Sequence, residues 1–259
     1  MNSLIATIEG IGFWSLELPS WQAACAYVHD GVLADDAPRK PSPQILAPNE
    51  RRRTPESVAV ALEVALAACA DAGRDPALLP SVFASTHGDL AITDYMCQTL
   101  SEDPRAISPT KFHNSVHNAA AGYWTIGNHC MQGTTAVSAL HASFAQGLVE
   151  AMVQLSDATD AVLLSAYDSQ SVGPLDQVTH SEGLLGGALV LSRRTHGLRM
   201  RATLVDGEVP SHGGALSRHM AGNAMAPMLP LFDALADGND VVMLHAGPGR
   251  LLRVELARG

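Results

Sequence analysis

The sequence is poor in charge and in aromatic rings: 16% of its 259 residues are charged and 5% aromatic. What charge there is leans one way, with 16 Lys and Arg against 26 Asp and Glu, a formal net charge of −10. Phosphate backbones would be repelled, so no nucleic-acid partner is expected. Anionic membranes would find no basic stripe to attract. The opening residues, MNSLIATIEG, lack the cationic and apolar regions of a signal peptide. The longest apolar run, residues 58–70, is broken by Glu63 and is too short for a membrane span. Four cysteines (Cys25, Cys69, Cys97, Cys130) stand without any CxxC spacing. Together these absences predict a cytoplasmic protein with reduced thiols.

What is abundant is apolar residues, 47% of the chain, enough for a sizeable core in one large domain spanning 1–259. Residues 4–13 read as a strand ending in a Gly10-Ile11-Gly12 turn. Residues 34–49 hold four prolines and read as an irregular surface segment, and Arg51, Arg52 and Arg53 after them as a solvated face. Thr54, Pro55 and Glu56 form a helix start, with Thr54 as cap and Pro55 in first position, and Gly73 is its stop. Strands are expected at 81–86, 161–167, 186–192 and 198–205, then a closing hairpin from 241–245 and 251–256. Strands alternating with helices imply a layered α/β fold.

Residues 108–149 concentrate the groups able to do chemistry: a His-rich loop, a small-residue helix, a strand and an amphipathic helix. His113 and His117 have the i, i+4 spacing of metal ligands, but no zincin glutamate lies between them. Hydrogen bonding to local backbone is the simpler role, so no metal and no cofactor is expected. Asn118 suits a helix cap or turn. Phe144, Leu148, Met152 and Leu155 follow at helical spacing and should be buried.

Several segments resemble the thiolase-fold condensing enzymes, the β-ketoacyl synthases. Ser108-Pro109, Asn118 and residues 121–126 (AGYWTI) are similar to the family segment that leads through a helix and a strand to the nucleophilic cysteine. Residues 8–12 (IEGIG) with Trp21, residues 157–160 (DATD), and Glu182-Gly183 with residues 187–191 (GALVL) resemble three further family segments in the right order. The likeness covers residues 4–192, and residues 193–259 would be a short remnant of the second half. It looks closest to a short ketosynthase-like family that accompanies a true ketosynthase in aryl-polyene-type clusters, as chain length factors do. The implied fold is thus a truncated thiolase-like α/β layer.

Against that family pattern, the nucleophile position falls on or next to His141, and no cysteine lies there. His141 reads as a filler of that space. Ser143 is a second candidate, but no G-x-S-x-G elbow surrounds it. The family's histidine motifs are poorly matched by residues 211–214 (SHGG) and 245–249 (HAGPG). The resemblance then implies a silent subunit that pairs with a full-length β-ketoacyl synthase as a heterodimer and meets an acyl carrier protein through that complex. The pairing residues expected are His113, His117 and Asn118 in the loop, Trp124 and Met131 near the entrance, and Thr134 to Phe144 across the interface. The competing expectations are an autonomous thioester hydrolase or decarboxylase using Ser143 and His141, or a homodimeric scaffold.

Overall fold

A computed structural model describes residues 3–33, 36–156, 158–209 and 213–258. The strands are β1 (Leu4–Ser15), β2 (Ser81–Ala84), β3 (Thr134–Val137), β4 (Ala161–Asp168), β5 (Leu185–Ser192), β6 (Leu198–Asp206), β7 (Val241–Gly247) and β8 (Arg250–Arg258). Between them run α1 (Trp21–Asp30), α2 (Pro48–Arg51), α3 (Glu56–Ala72), α4 (Leu90–Glu102), α5 (Pro109–Asn114), α6 (Ala119–Gly127), α7 (Ser143–Gln154), α8 (Ala215–His219) and α9 (Leu229–Asp237). The strands form one eight-stranded sheet in the order β3-β2-β4-β5-β1-β6-β8-β7. β2 is parallel to both β3 and β4, and the remaining pairs are antiparallel.

Every residue of β4 and of β5 is buried, as expected of strands covered on both faces. One face carries α3 and α6, packed through Val60, Val64, Trp124 and Phe83. The other carries α1, α7 and α9, packed through Phe13, Leu148 and Phe232. Residues 193–259 supply β6, β8 and β7, which extend the sheet beyond β1.

The glycines of β1 do not make a turn. The strand runs through them to Ser15, and α3 lies against their bare backbone. A Cβ on Gly10 would stand 2.1 Å from the Ala68 carbonyl oxygen, and one on Gly12 2.0 Å from that of Val64. The close approach is a tertiary demand that a Gly-Ile-Gly pattern alone does not distinguish from a turn. The start of α3 also differs from expectation. The helix begins at Glu56 with Pro55 at the cap position, while the Thr54 hydroxyl donates to the Glu50 carbonyl, 2.9 Å away. Gly73 closes it in a left-handed conformation, φ 62°, as anticipated.

The proline-rich segment is partly core. Pro41, Pro43 and Leu46 are buried, and Leu46 packs into the α3 side of the molecule. The Ser42 N–H donates to Glu63 Oε2 at 3.1 Å, and the Arg51 guanidinium donates to the Leu46 carbonyl at 3.2 Å. The segment is thus tied to α3 through Leu46 and through the bond from Ser42 to Glu63.

Candidate functional site

The parallel strands β2, β3 and β4 end on one side of the sheet, where α/β folds place their ligands. There β3 leads through 138 and 139 into a tight turn at Leu140–Ala142 and directly into α7. Leu140 sits at the corner with φ 51°, and among the described residues only His129 is another non-glycine with positive φ. A leucine there is costly, so the surrounding bonds must hold it. They do. The Ser143 hydroxyl donates to the Leu140 carbonyl at 2.6 Å and accepts from the Ala139 N–H at 2.9 Å, while the Ala142 N–H donates to the Ala139 carbonyl at 3.0 Å.

Strand, strained corner and helix make the geometry of a nucleophile elbow, with an aliphatic side chain at its tip. Leu140 is 67% exposed. His141, next to it, is also exposed and stands edge-on to His245 of β7, ring centroids 6.3 Å apart. The 245–249 segment, poorly matched in sequence, therefore does bring an imidazole to the elbow. His212 of the other unmatched segment lies outside the described residues. Ser143 is buried and its hydroxyl is spent on holding the corner, donor and acceptor alike. Cys130 lies at the opposite end of β3, buried, its Sγ turned to the Leu79 carbonyl.

Beneath the elbow is a residue that the sequence reading passed over. Asp168, the last residue of β4, is 1% exposed. It accepts from the Ser85 hydroxyl at 2.7 Å and from the N–H groups of Thr86 and His87 at 3.0 and 3.3 Å. Burial raises its carboxyl pKa, and those donors pull against the rise. The signal was present as a lone acid closing an otherwise apolar core strand. His87, above it, has its pKa lowered by burial, and its ring is hydrogen-bonded to the Thr179 hydroxyl. His117 donates Nε2–H to the Ser85 carbonyl at 2.9 Å, which ties the α5–α6 loop to the same turn. The expected bond of His117 to backbone is thus formed, across the site rather than locally.

The other anticipated residues divide. His113 and Asn118 are exposed and line a groove of about 530 Å³ with Leu46, Val116, Tyr123 and Ile126. The His113 ring meets Tyr123 edge-on at 6.4 Å. Asn118 occupies the cap position of α6 without a side-chain capping bond. Trp124 is not near an entrance. It is fully buried, packed against Phe83, because the side of α6 that carries it faces α3 and the sheet. Phe144 likewise belongs to the core, at 1% exposure, and cannot reach across an interface.

Thr134 and Met131, in contrast, are exposed, Met131 at 93%. β3 is an edge of the sheet, with β2 on one side only, and Thr134 and Ala136 on it are exposed. Such an edge presents unpaired backbone donors and acceptors to any strand that meets it. Among the described residues no helix is long and apolar enough to cross a membrane.

Residues 21–247 match the family described as Beta-ketoacyl synthase, N-terminal domain. No curated protein matches the chain. Among solved structures, one similar fold is in the complex of a ketosynthase (ApeO) with its chain length factor (ApeC) from Xenorhabdus doucetiae. Its TM-score is 0.77 at 20% identity, covering 97% of this chain and 99% of that one. A second is a type II PKS acyl-carrier protein in complex with its ketosynthase bound to the hexaketide. There the TM-score is 0.74 at 12% identity, with both chains covered in full. The ishigamide ketosynthase/chain length factor is a third, with TM-score 0.71, 15% identity, and 99% and 100% covered. At these identities the likeness is one of fold.

Proposed function

Because the chain belongs to the β-ketoacyl synthase N-terminal domain family, we propose that it is a catalytically silent, chain length factor-like partner of an active ketosynthase. The observation that carries this reading is the elbow: its strand, strained corner and helix are kept, while the corner side chain is Leu140, which has no nucleophilic atom. Keeping a strained geometry without its chemistry favours a role in shape. The exposed edge β3, running straight into the elbow, is the surface for pairing. A partner strand added there would continue the sheet across the two subunits.

In this role the active ketosynthase supplies the nucleophile and its activating histidines. The silent chain presents Leu140, His141, Met131 and the outer side of β3 to it, and the acyl carrier protein is met through the complex. The pathway class favoured is aryl-polyene or related fatty-acid-type chain building. An autonomous hydrolase built on Ser143 is disfavoured by the hydroxyl's double engagement in the corner. A homodimeric scaffold would use the same edge. Two results separate these readings. Incubated alone with acyl thioesters, the protein should show no turnover that Ser143→Ala or His141→Ala removes. Co-expressed with a full-length β-ketoacyl synthase that has an intact nucleophilic cysteine, the chain should form a heterodimer and behave better in solution than alone. A well-behaved homodimer that ignores the ketosynthase would refute the proposal.

A further inference from the structure

β1 ends at Ser15, and the chain then turns tightly. The Ser15 N–H donates to the Leu18 carbonyl at 2.9 Å, and the Leu18 N–H donates back to the Ser15 carbonyl at 3.3 Å. Leu18 is buried, so the turn carries Leu16 and Glu17 outward. Side chains alternate along a strand, and Phe13 packs on the side of α1, α7 and α9, so Ser15 faces that same side. There it meets the end of α8. With Glu17, Glu182, Leu184, His219 and Met220 it lines a cavity of about 180 Å³.

Two features of this cavity point to a ligand. The Ser15 side chain is only 4% exposed, and its Oγ has no hydrogen-bond partner among the described residues. A buried hydroxyl is costly to leave unbonded, so its partner belongs in the cavity that it lines. The second feature is charge. Glu17 and Glu182 both line the cavity, and among the described residues no lysine or arginine does. Each carboxylate is engaged through one oxygen: Glu17 Oε2 pairs with His219 at 3.0 Å, and Glu182 Oε1 with His180 at 3.1 Å. Glu182 Oε2 lies over Gly222, where a Cβ would stand 2.3 Å from it. Asn223 closes the wall without competing for a ligand. Its amide donates to the Glu182 carbonyl at 2.8 Å and accepts from the Met225 N–H at 2.9 Å.

We propose that this cavity binds a primary alkylammonium, a small free aliphatic amine. Its N–H groups donate to the Ser15 hydroxyl and to the uncommitted oxygens of Glu17 and Glu182, and its stem lies against Leu16, Leu184 and Met220. An ammonium has three donors and no acceptor, which matches one hydroxyl and two carboxylates. A divalent metal matches less well: it takes about six to eight oxygens, whereas the cavity offers these three groups beside the His219 imidazole. Anions are repelled by both glutamates. Both carboxylates are largely exposed, so the attraction is sensitive to salt. None of residues 138–143 lines the cavity, and the site is independent of the pairing proposed above.

The test titrates butylamine into the full chain by calorimetry, in an amine-free buffer near neutral pH, where the probe is protonated as a lysine side chain is. The expected result is a single site with a Kd of about 1 mM at low salt, within reach of so small a ligand, weakening at about 300 mM salt. 1-Butanol and butyrate, which keep the stem and change the head group, should not bind measurably. E17Q/E182Q should lose about tenfold or more in affinity, with unchanged circular dichroism because both side chains are largely exposed. Ser15→Ala should also weaken binding, and should raise Tm because the unbonded hydroxyl is gone. Butylamine that binds E17Q/E182Q as well as the parent overturns the proposal, as does butanol that binds as well as butylamine. So does an absence of butylamine binding up to about 50 mM, well above the expected Kd. Calcium chloride that binds through the glutamates while butylamine does not would make the site a metal site instead. Nα-acetyl-lysinamide that binds more tightly than butylamine would make the ligand a protein's lysine and overturn the free amine.

Discussion

Leu140→Gly should make the protein more stable, an unusual direction for a substitution that removes four carbons. The left-handed backbone costs an L-residue about 1–2 kcal/mol, and Leu140 adopts it with φ 51°. Glycine removes that strain but loses about 0.5–1 kcal/mol through greater freedom of the unfolded chain. The leucine side chain is 67% exposed, so little burial is forfeited. The hydroxyl and N–H bonds that shape the corner come from Ser143, Ala139 and Ala142 and remain. The net gain is about 0.5–1 kcal/mol, a rise in Tm of about 1–4 °C for a chain of this size. Calorimetry or urea unfolding of the isolated protein measures it. The same variant, in the heterodimer, should alter the length or yield of the product, because the corner side chain is gone. A fall in Tm of several degrees would mean that Leu140 is packed rather than strained, and the elbow argument would be wrong.

Other outcomes follow from the same structure. Gly12→Ala places a Cβ 2.0 Å from the Val64 carbonyl and should cost about 3 kcal/mol or more, the upper end of overpacking, read as a lowered urea midpoint. Phe144→Ala should cost about 3–5 kcal/mol, as a core residue must, and not act selectively on pairing. Burial pushes the Glu9 carboxyl up, but Arg74 and Arg194 more than reverse this and leave its pKa below the ordinary value. The stability Glu9 contributes is thus complete above its unfolded pKa of about 4.3 and is lost as pH falls through the folded value. The difference in unfolding free energy between the parent and Glu9→Gln should therefore shrink on going from neutral pH to about pH 3, and a constant difference would contradict the assignment. Ala136→Lys, on the exposed edge of β3, should leave the fold intact and block pairing, with unchanged circular dichroism and loss of co-elution.

The strands could be read from the sequence because each is an apolar run bounded by breakers, and residues 161–167 and 186–192 fall within fully buried strands. Burial in partner-facing detail could not. Trp124 and Met131 are seven residues apart, yet one is fully buried on the side of α6 that meets α3 and the other, beyond the end of that helix in the connection to β3, is 93% exposed. Gly10 and Gly12 looked like a turn because glycine answers equally to a bend and to a helix laid on bare backbone. At the site, that residues 131–149 hold no cysteine was legible, whereas the strained Leu140 and the buried Asp168 required φ angles and hydrogen bonds to identify. The approach of His245 to His141 joins residues about a hundred positions apart, through a segment whose pattern matched nothing.

The pairing itself is tested most directly by mass. The chain is co-expressed with a full-length β-ketoacyl synthase, purified through a tag on one subunit only, and analysed by light scattering with and without Ala136→Lys. The account predicts a one-to-one heterodimer for the parent chain and separate species for the variant. A complex that forms equally well with Ala136→Lys, or a parent chain that elutes without the ketosynthase, would contradict it.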